Sequence, residues 1–167
     1  MPATDASFSD RQAFEATVRE QTGYLFSLAY SILRDLGESE DAVQDTLELA
    51  WKSWRQQRDP QRRMAWLRTI CVRRSLRVRS GLLKRFFLDE RAPQADPRPV
   101  QEADRDLDDA FRNLSVQQRA VIALHYQHGF SLDECANLMK CRPGTARSHL
   151  SRALEKLRTE LGDEQDA

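Results

Sequence analysis

Apolar residues return at helical intervals along most of this chain, and the places where that period breaks divide it into segments. From about Arg11, the positions Phe14, Val18, Leu25, Phe26, Leu28, Ala29, Ile32 and Leu33 predict helix with one buried side, with Gly23 as a break and a polar, frayed stretch over residues 1–10. A turn is expected at DLGES, residues 35–39, with Ser39 or a neighbour capping the next helix. That helix, EDAVQDTLELAWKSW, sorts its residues by face. Val43, Leu47, Ala50, Trp51 and Trp54 cluster on one side, while Asp41, Gln44, Glu48 and Lys52 lie opposite, with Asp45 adjoining.

Asp59-Pro60 marks a turn before AWLRTICVRRSLRVRS. On a helix Trp66, Thr69, Arg73 and Arg77 align at offsets of three and four as a basic stripe with an aromatic at its head; Leu67, Ile70, Cys71 and Val78 turn inward. Residues 79–105 hold three of the six prolines and no sustained period, so a linker is expected there. Leu82, Leu83, Phe86, Phe87 and Leu88 are unusually apolar for a linker, which suits an extension of the preceding helix or a partner's groove. A second helical unit begins near Asp106 with the stripe Leu107, Ala110, Phe111 and Leu114. Ser115 with Gln118 forms a capping box, Val121, Ile122, Leu124 and Tyr126 continue the helix, and Gly129 ends it. The tail after Leu161 is acidic and expected to be disordered.

The run SLDECANLMKCRPGTARSHLSRALEKL, residues 131–157, carries the most chemistry. Ser131 with Glu134 makes another capping box, and Leu132, Cys135, Ala136 and Met139 form a narrow apolar stripe. CRPG interrupts the pattern, with Pro143 tolerated at a first helical position; Ala146, Leu150, Ala153, Leu154 and Leu157 then share one side. The other side gathers Arg142, Thr145, Arg147, Ser148, Ser151 and Arg152 at the start of the helix. Guanidiniums can donate two bonds to guanine, hydroxyls take phosphate oxygens, and a helix N-terminus favours an anion. These features fit a helix-turn-helix with the second helix as reader, the plain alternative being a helical hairpin with a solvated polar face. The predicted fold is therefore all-α: two small helical domains, residues 11–80 and 106–161, joined by a flexible linker, 81–105, with the helix-turn-helix in the second.

Charge sharpens this picture. The chain is formally neutral, yet residues 52–91 hold thirteen Lys/Arg against three acids, and residues 140–158 hold six against Glu155 alone. Two basic blocks separated by acidic stretches fit two contacts with a polyanion. An aromatic among cations suits single-stranded DNA, because bases stack on the ring and phosphates pair with arginine. Trp66 fits that role and equally fits the start of a core.

The order of these segments resembles bacterial sigma factors of the extracytoplasmic-function type. GFSLDECANLMKCRPGTARSHLSRALEKLR is similar to their C-terminal promoter-reading region at Gly129, Ser131, Glu134, Ala136, Gly144, Thr145, Arg147, Ser148, Leu150, Arg152 and Ala153. LSVQQRAVIALHYQHGFS resembles the family's lead-in to it. EDAVQDTLELAW is similar to the polymerase-binding segment at Glu40, Asp41, Gln44, Asp45, Ala50 and Trp51. The chain departs from the pattern at Leu47 (usually Phe), Glu48-Leu49 (usually hydrophobic then basic), Arg73 (often Asn), Arg77 (often an acid) and Lys140 (usually a left-handed glycine). The resemblance implies polymerase contact through Asp41, Gln44, Asp45, Glu48 and Trp51, and contact with the opened downstream element through Trp66, Arg68, Thr69, Arg73 and Arg77. The upstream element would be read through Arg142, Thr145, Arg147, Ser148, Ser151 and Arg152. Its implied partners are core RNA polymerase, promoter DNA and an anti-sigma protein.

Other classes fit less well. His125, His128, His149 and the cysteines lack a standard zinc spacing, and neither a phosphate-binding glycine loop nor a nucleophile elbow is present, so no catalytic site, metal or cofactor is expected. A dimeric helix-turn-helix regulator would explain the reader helix but not the acidic helix followed by a basic, aromatic one. A pure interaction protein would not need the basic stripes. No apolar run spans a membrane and the N-terminus lacks a signal-peptide core, so a cytoplasmic protein with reduced, structural Cys71, Cys135 and Cys141 is expected.

Overall fold

The structure is a computed structural model that describes residues 3–57, 59–85 and 102–162. It consists of α1 (Ala3–Leu33), α2 (Leu36–Lys52), a short 3-10 turn (Trp54–Gln56), α3 (Pro60–Arg85), α4 (Glu102–Asn113), α5 (Val116–Ile122) continuing into a π-helical turn (Ala123–Gln127), α6 (Leu132–Met139) and α7 (Pro143–Gly162). No strand occurs among the described residues.

Helices α1 to α3 pack on one another because each has a single apolar side to remove from water. Leu25, Leu28, Ala29 and Ile32 of α1 meet Ala42, Val43 and Ala50 of α2 and Leu67, Cys71 and Val72 of α3, all nearly or completely buried. Several polar residues share this interior: Thr46 donates to Ala42 O at 2.7 Å, Ser75 to Cys71 O at 2.9 Å and Ser31 to Leu28 O at 2.7 Å. Each hydroxyl is satisfied within its own helix, which removes most of the burial cost.

Four expectations need correction. Helix α1 starts at Ala3, so residues 3–10 are helical, and it runs through Gly23 without a break. One glycine costs a helix only about 1 kcal/mol, which the packing of the flanking Leu25 and Leu28 outweighs. The turn before α2 is shorter than expected: Arg34 takes the left-handed conformation (φ 55°) and Asp35, not Ser39, caps α2, accepting from Glu38 N at 2.8 Å. The buried side of α2 is also rotated. Ala42, Val43, Thr46 and Ala50 line it, whereas Leu47 is half-buried and Trp51 is 43% exposed. Helix α4 begins at Glu102, ahead of the expected start near Asp106, while α3 continues to Arg85, in line with the extension of the preceding helix that Leu82 and Leu83 suggested; Phe86, Phe87, Leu88 and the acidic tail lie outside the described residues.

In the second half both capping boxes form. Ser115 and Gln118 exchange bonds of 2.9 and 3.2 Å, and Ser131 and Glu134 bonds of 2.8 and 3.3 Å. Gly129 holds φ 73°, which lets the chain leave the π-helical turn and start α6. Lys140 takes the left-handed position after α6 (φ 55°, ψ 47°), and Cys141 N closes the turn on Ala136 O at 2.9 Å. Cys135, Ala136 and Met139 of α6 then bury against Ala146, Leu150 and Ala153 of α7. The halves also touch: α1 and α3 pack on α5, α3 packs on α6, and the buried apolar residues of both halves form one cluster.

Because a lysine Cβ is strained at this backbone conformation, Lys140→Gly is expected to raise stability by about 0.5–1 kcal/mol. Urea denaturation should show a higher midpoint with an unchanged slope; a lower midpoint would mean that the lysine stem contributes more than the turn costs.

Candidate functional site

Three surfaces carry the residues singled out in the sequence. The first is the beginning of α7. Arg142, Thr145, Arg147, Ser148, Ser151 and Arg152 are all exposed, while Ala146, Leu150 and Ala153 on the opposite side are buried. Helix α6 covers that apolar side, so the hydroxyl and guanidinium side is the one left to solvent. Arg147 Nη2 donates to Asp133 Oδ1 of α6 at 3.2 Å. Both groups are well exposed, so a phosphate can replace the carboxylate at little cost. His149, half-buried on the same helix, has its pKa lowered by burial and then by the Arg152 charge.

The second surface, on α3, is partly occupied by the protein itself. Trp66 is half-buried against the core, and the Thr69 hydroxyl is turned back to Ala65 O at 2.8 Å. Arg77 is exposed. Arg73 reaches the last turn of α6, donating from Nη2 to Asn137 O at 3.3 Å and from Nε to Leu138 O at 3.4 Å. The Arg68 guanidinium lies 4.8 Å over the Phe130 ring. Sequence reasoning did not foresee these contacts, nor the Tyr24–His128 edge-to-face pair at 5.7 Å, because residues 24 to 138 offer no local signal for them. Burial there and the nearby Arg68 charge both lower the His128 pKa.

The third surface is α2. Asp41, Gln44, Asp45 and Glu48 are exposed, and Gln44 Nε2 donates to Glu48 Oε1 at 3.3 Å. Asp45 also forms a loose pair with Arg74 of α3 at 3.7 Å. Beside these acids, α1 and α2 enclose an open apolar groove of about 540 Å³ lined by Phe14, Val18, Phe26, Val43, Leu47 and Trp51, with Glu40, Gln44 and Glu48 also bordering it. Trp51 stacks at a tilt on Phe14, ring centroids 5.0 Å apart. The rotation of α2 therefore turns two residues expected in the core, Leu47 and Trp51, into an accessible apolar strip beside a row of carboxylates.

The cysteines do not add chemistry to these surfaces. Burial pushes the Cys71 thiol up to about 11, and burial with the Glu134 charge pushes Cys135 up to about 11. Cys141 is raised by burial as well, so the reactive thiolate is disfavoured at all three. Among the described residues no cluster of His, Cys, Asp or Glu is arranged to hold a metal.

Two family models match the chain: sigma-70 region 2 over residues 18–81 and sigma-70 region 4 over residues 104–157, together more than half of it. The extracytoplasmic-function RNA polymerase sigma factor SigL of Mycobacterium tuberculosis is 32% identical over 93% of each chain. The RNA polymerase sigma-E factor of Streptomyces coelicolor is 28% identical over 89% of this chain and 85% of its own length. Among solved structures, the sigma factor RpoE of Bartonella quintana, crystallised with the anti-sigma factor NepR, superposes with a TM-score of 0.70 at 28% identity, covering 90% of this chain and 98% of that one. With an all-helical fold, both matched regions in order and relatives matched along nearly their whole length, the chain belongs to the extracytoplasmic-function sigma factors of the sigma-70 family.

Proposed function

We propose that this sigma factor holds core RNA polymerase through α2 and the groove beside it, reads the duplex upstream element through the start of α7, and binds the opened downstream strand through α3. One observation carries the assignment: carboxylates with an accessible apolar strip face outward on α2, while hydroxyls and guanidiniums face outward on α7 of the same molecule. Apolar side chains in a groove supply binding energy, and the acids around it select a basic partner surface. The exposed arginines of α7 suit guanine edges and phosphates. The chain performs no chemistry of its own. Promoter specificity arises because polymerase is retained where two linked DNA contacts coincide, each raising the effective concentration of the other.

A dimeric regulator would have no use for the α2 surface, and the region 2 match covers that half of the chain. Within this proposal an anti-sigma protein is the third partner, as NepR is for the similar RpoE. The site of action is the cytoplasm, where polymerase and promoter meet; no described helix is long and apolar enough to cross a membrane.

Reconstitution with sigma-free core polymerase is expected to give a stable complex and promoter-specific transcripts from genomic DNA; absence of both would end the proposal. Trp51→Ala should weaken polymerase association by roughly thirtyfold, the loss of ~2 kcal/mol typical of a buried interface aromatic, with circular dichroism checking that helical content is kept despite the lost Phe14 contact. Duplex binding by the same variant should be unchanged. Arg147→Ala with Arg152→Ala should reverse that pattern: each lost contact is worth about 1–3 kcal/mol, so upstream-element binding falls at least tenfold while polymerase association holds. Loss of polymerase association in the arginine variant would mean that the two halves have been assigned the wrong way round.

A further inference from the structure

The start of α7 gathers cations, yet an acid stands beside them. Asp133 and Glu134 both lie in the first turn of α6, and they are used differently. Glu134 turns back on Ser131, accepting from its backbone N and its Oγ at 2.8 Å each, and these bonds hold its carboxyl below the usual carboxylate range. Asp133 lies outside that capping box. The left-handed turn at Lys140 brings α7 back against α6, and there Asp133 Oδ1 accepts from Arg147 Nη2 at 3.2 Å. A carboxylate at this place weakens the attraction of the surface for every phosphate near it, so on charge alone it opposes DNA binding.

We propose that Asp133 is a positioning residue for Arg147, holding one end of its guanidinium and offsetting its charge so that a guanine edge is preferred to a phosphate. The proposal rests on the reading of α7 as the duplex reader. A phosphate attracts arginine through full opposite charges, so pairing with Asp133 weakens that contact directly. Guanine offers N7 and O6, neutral acceptors that reward a planar fork already aimed at them. With Nη2 engaged by Asp133, the protons on Nε and Nη1 remain for such an edge. The acid therefore lowers binding to DNA of any sequence more than binding to the matching one, and discrimination is the difference between the two. Both side chains are more than half exposed, so the bias is several-fold and the pair still yields when only phosphates are within reach.

Asp133→Asn keeps the shape of the side chain and removes its charge. The intact chain is used to select duplexes from a randomised pool, and affinity is then measured for the most enriched duplex and for sonicated mixed-sequence DNA. For the asparagine variant, mixed-sequence binding is expected to tighten, and its dependence on log salt to steepen by about one, because Arg147 is released to a phosphate. The ratio of selected to mixed-sequence affinity should fall about two- to fivefold. The same substitution made on top of Arg147→Ala should leave that ratio where Arg147→Ala alone puts it, since Asp133 acts through Arg147. Circular dichroism checks helical content, and Asp133→Ser serves if the asparagine variant loses helix. An unchanged ratio in the single variant overturns the proposal. So does an equal fall with and without Arg147, which would make Asp133 a source of general repulsion only. If the unaltered chain enriches no duplex, alone or bound to core polymerase, the reading of α7 itself falls and this proposal falls with it.

Discussion

A helix can bury only one side, and in this chain that limit decides which chemistry faces outward. Leu25, Leu28 and Ile32 of α1 are completely buried, and α2 and α3 turn small or apolar residues toward them: Ala42, Val43 and Ala50 from one, Leu67, Cys71 and Val72 from the other. The acids of α2 and the stripe of α3 are what remains for the surface. The same constraint acts in the second half, where burying Ala146, Leu150 and Ala153 against α6 leaves the hydroxyls and guanidiniums of α7 in water. Function here is a consequence of what the core does not use.

Formal neutrality of the chain hides this separation of charge. Acids concentrated on α2 beside an apolar groove and cations concentrated on α3 and α7 allow one small molecule to present unlike surfaces to a protein and to a nucleic acid at once. They also allow the molecule to bind itself. Asp45 meets Arg74, Asp133 meets Arg147, Asp108 meets Arg34, and the carbonyls at the end of α6 meet Arg73, so several of the cations already have a weak local acceptor that a stronger anion can replace.

Local rules made much of this legible in the sequence. The Ser115–Gln118 and Ser131–Glu134 capping boxes need only residues three apart, and both form as their spacing implies. The buried and exposed sides of α7 follow from a similarly short pattern, whereas the left-handed turn at Lys140 came only from the family resemblance, since a lysine gives no local sign of it. The failures have physical causes of equal clarity. Thr46 reads as polar but is completely buried, its hydroxyl satisfied by Ala42 O, and with Thr46 on the inner side Leu47 and Trp51 fall nearer solvent. Gly23 reads as a break but sits beside enough buried leucine to stay helical. The contacts of Arg34, Arg68 and Arg73 with the second half join residues more than sixty positions apart, a distance over which periodicity carries no information.

The central claim is that three outward surfaces have three separate ligands. Hydrogen–deuterium exchange on the intact chain tests it most directly, comparing the free protein with its complexes with sigma-free core polymerase and with duplex promoter DNA. Core polymerase should slow exchange in α2 and the facing part of α1, and duplex DNA alone should slow it at the start of α7 while leaving α2 as it was. Protection of α7 by polymerase with α2 unaffected, or of α2 by duplex DNA, would contradict the account.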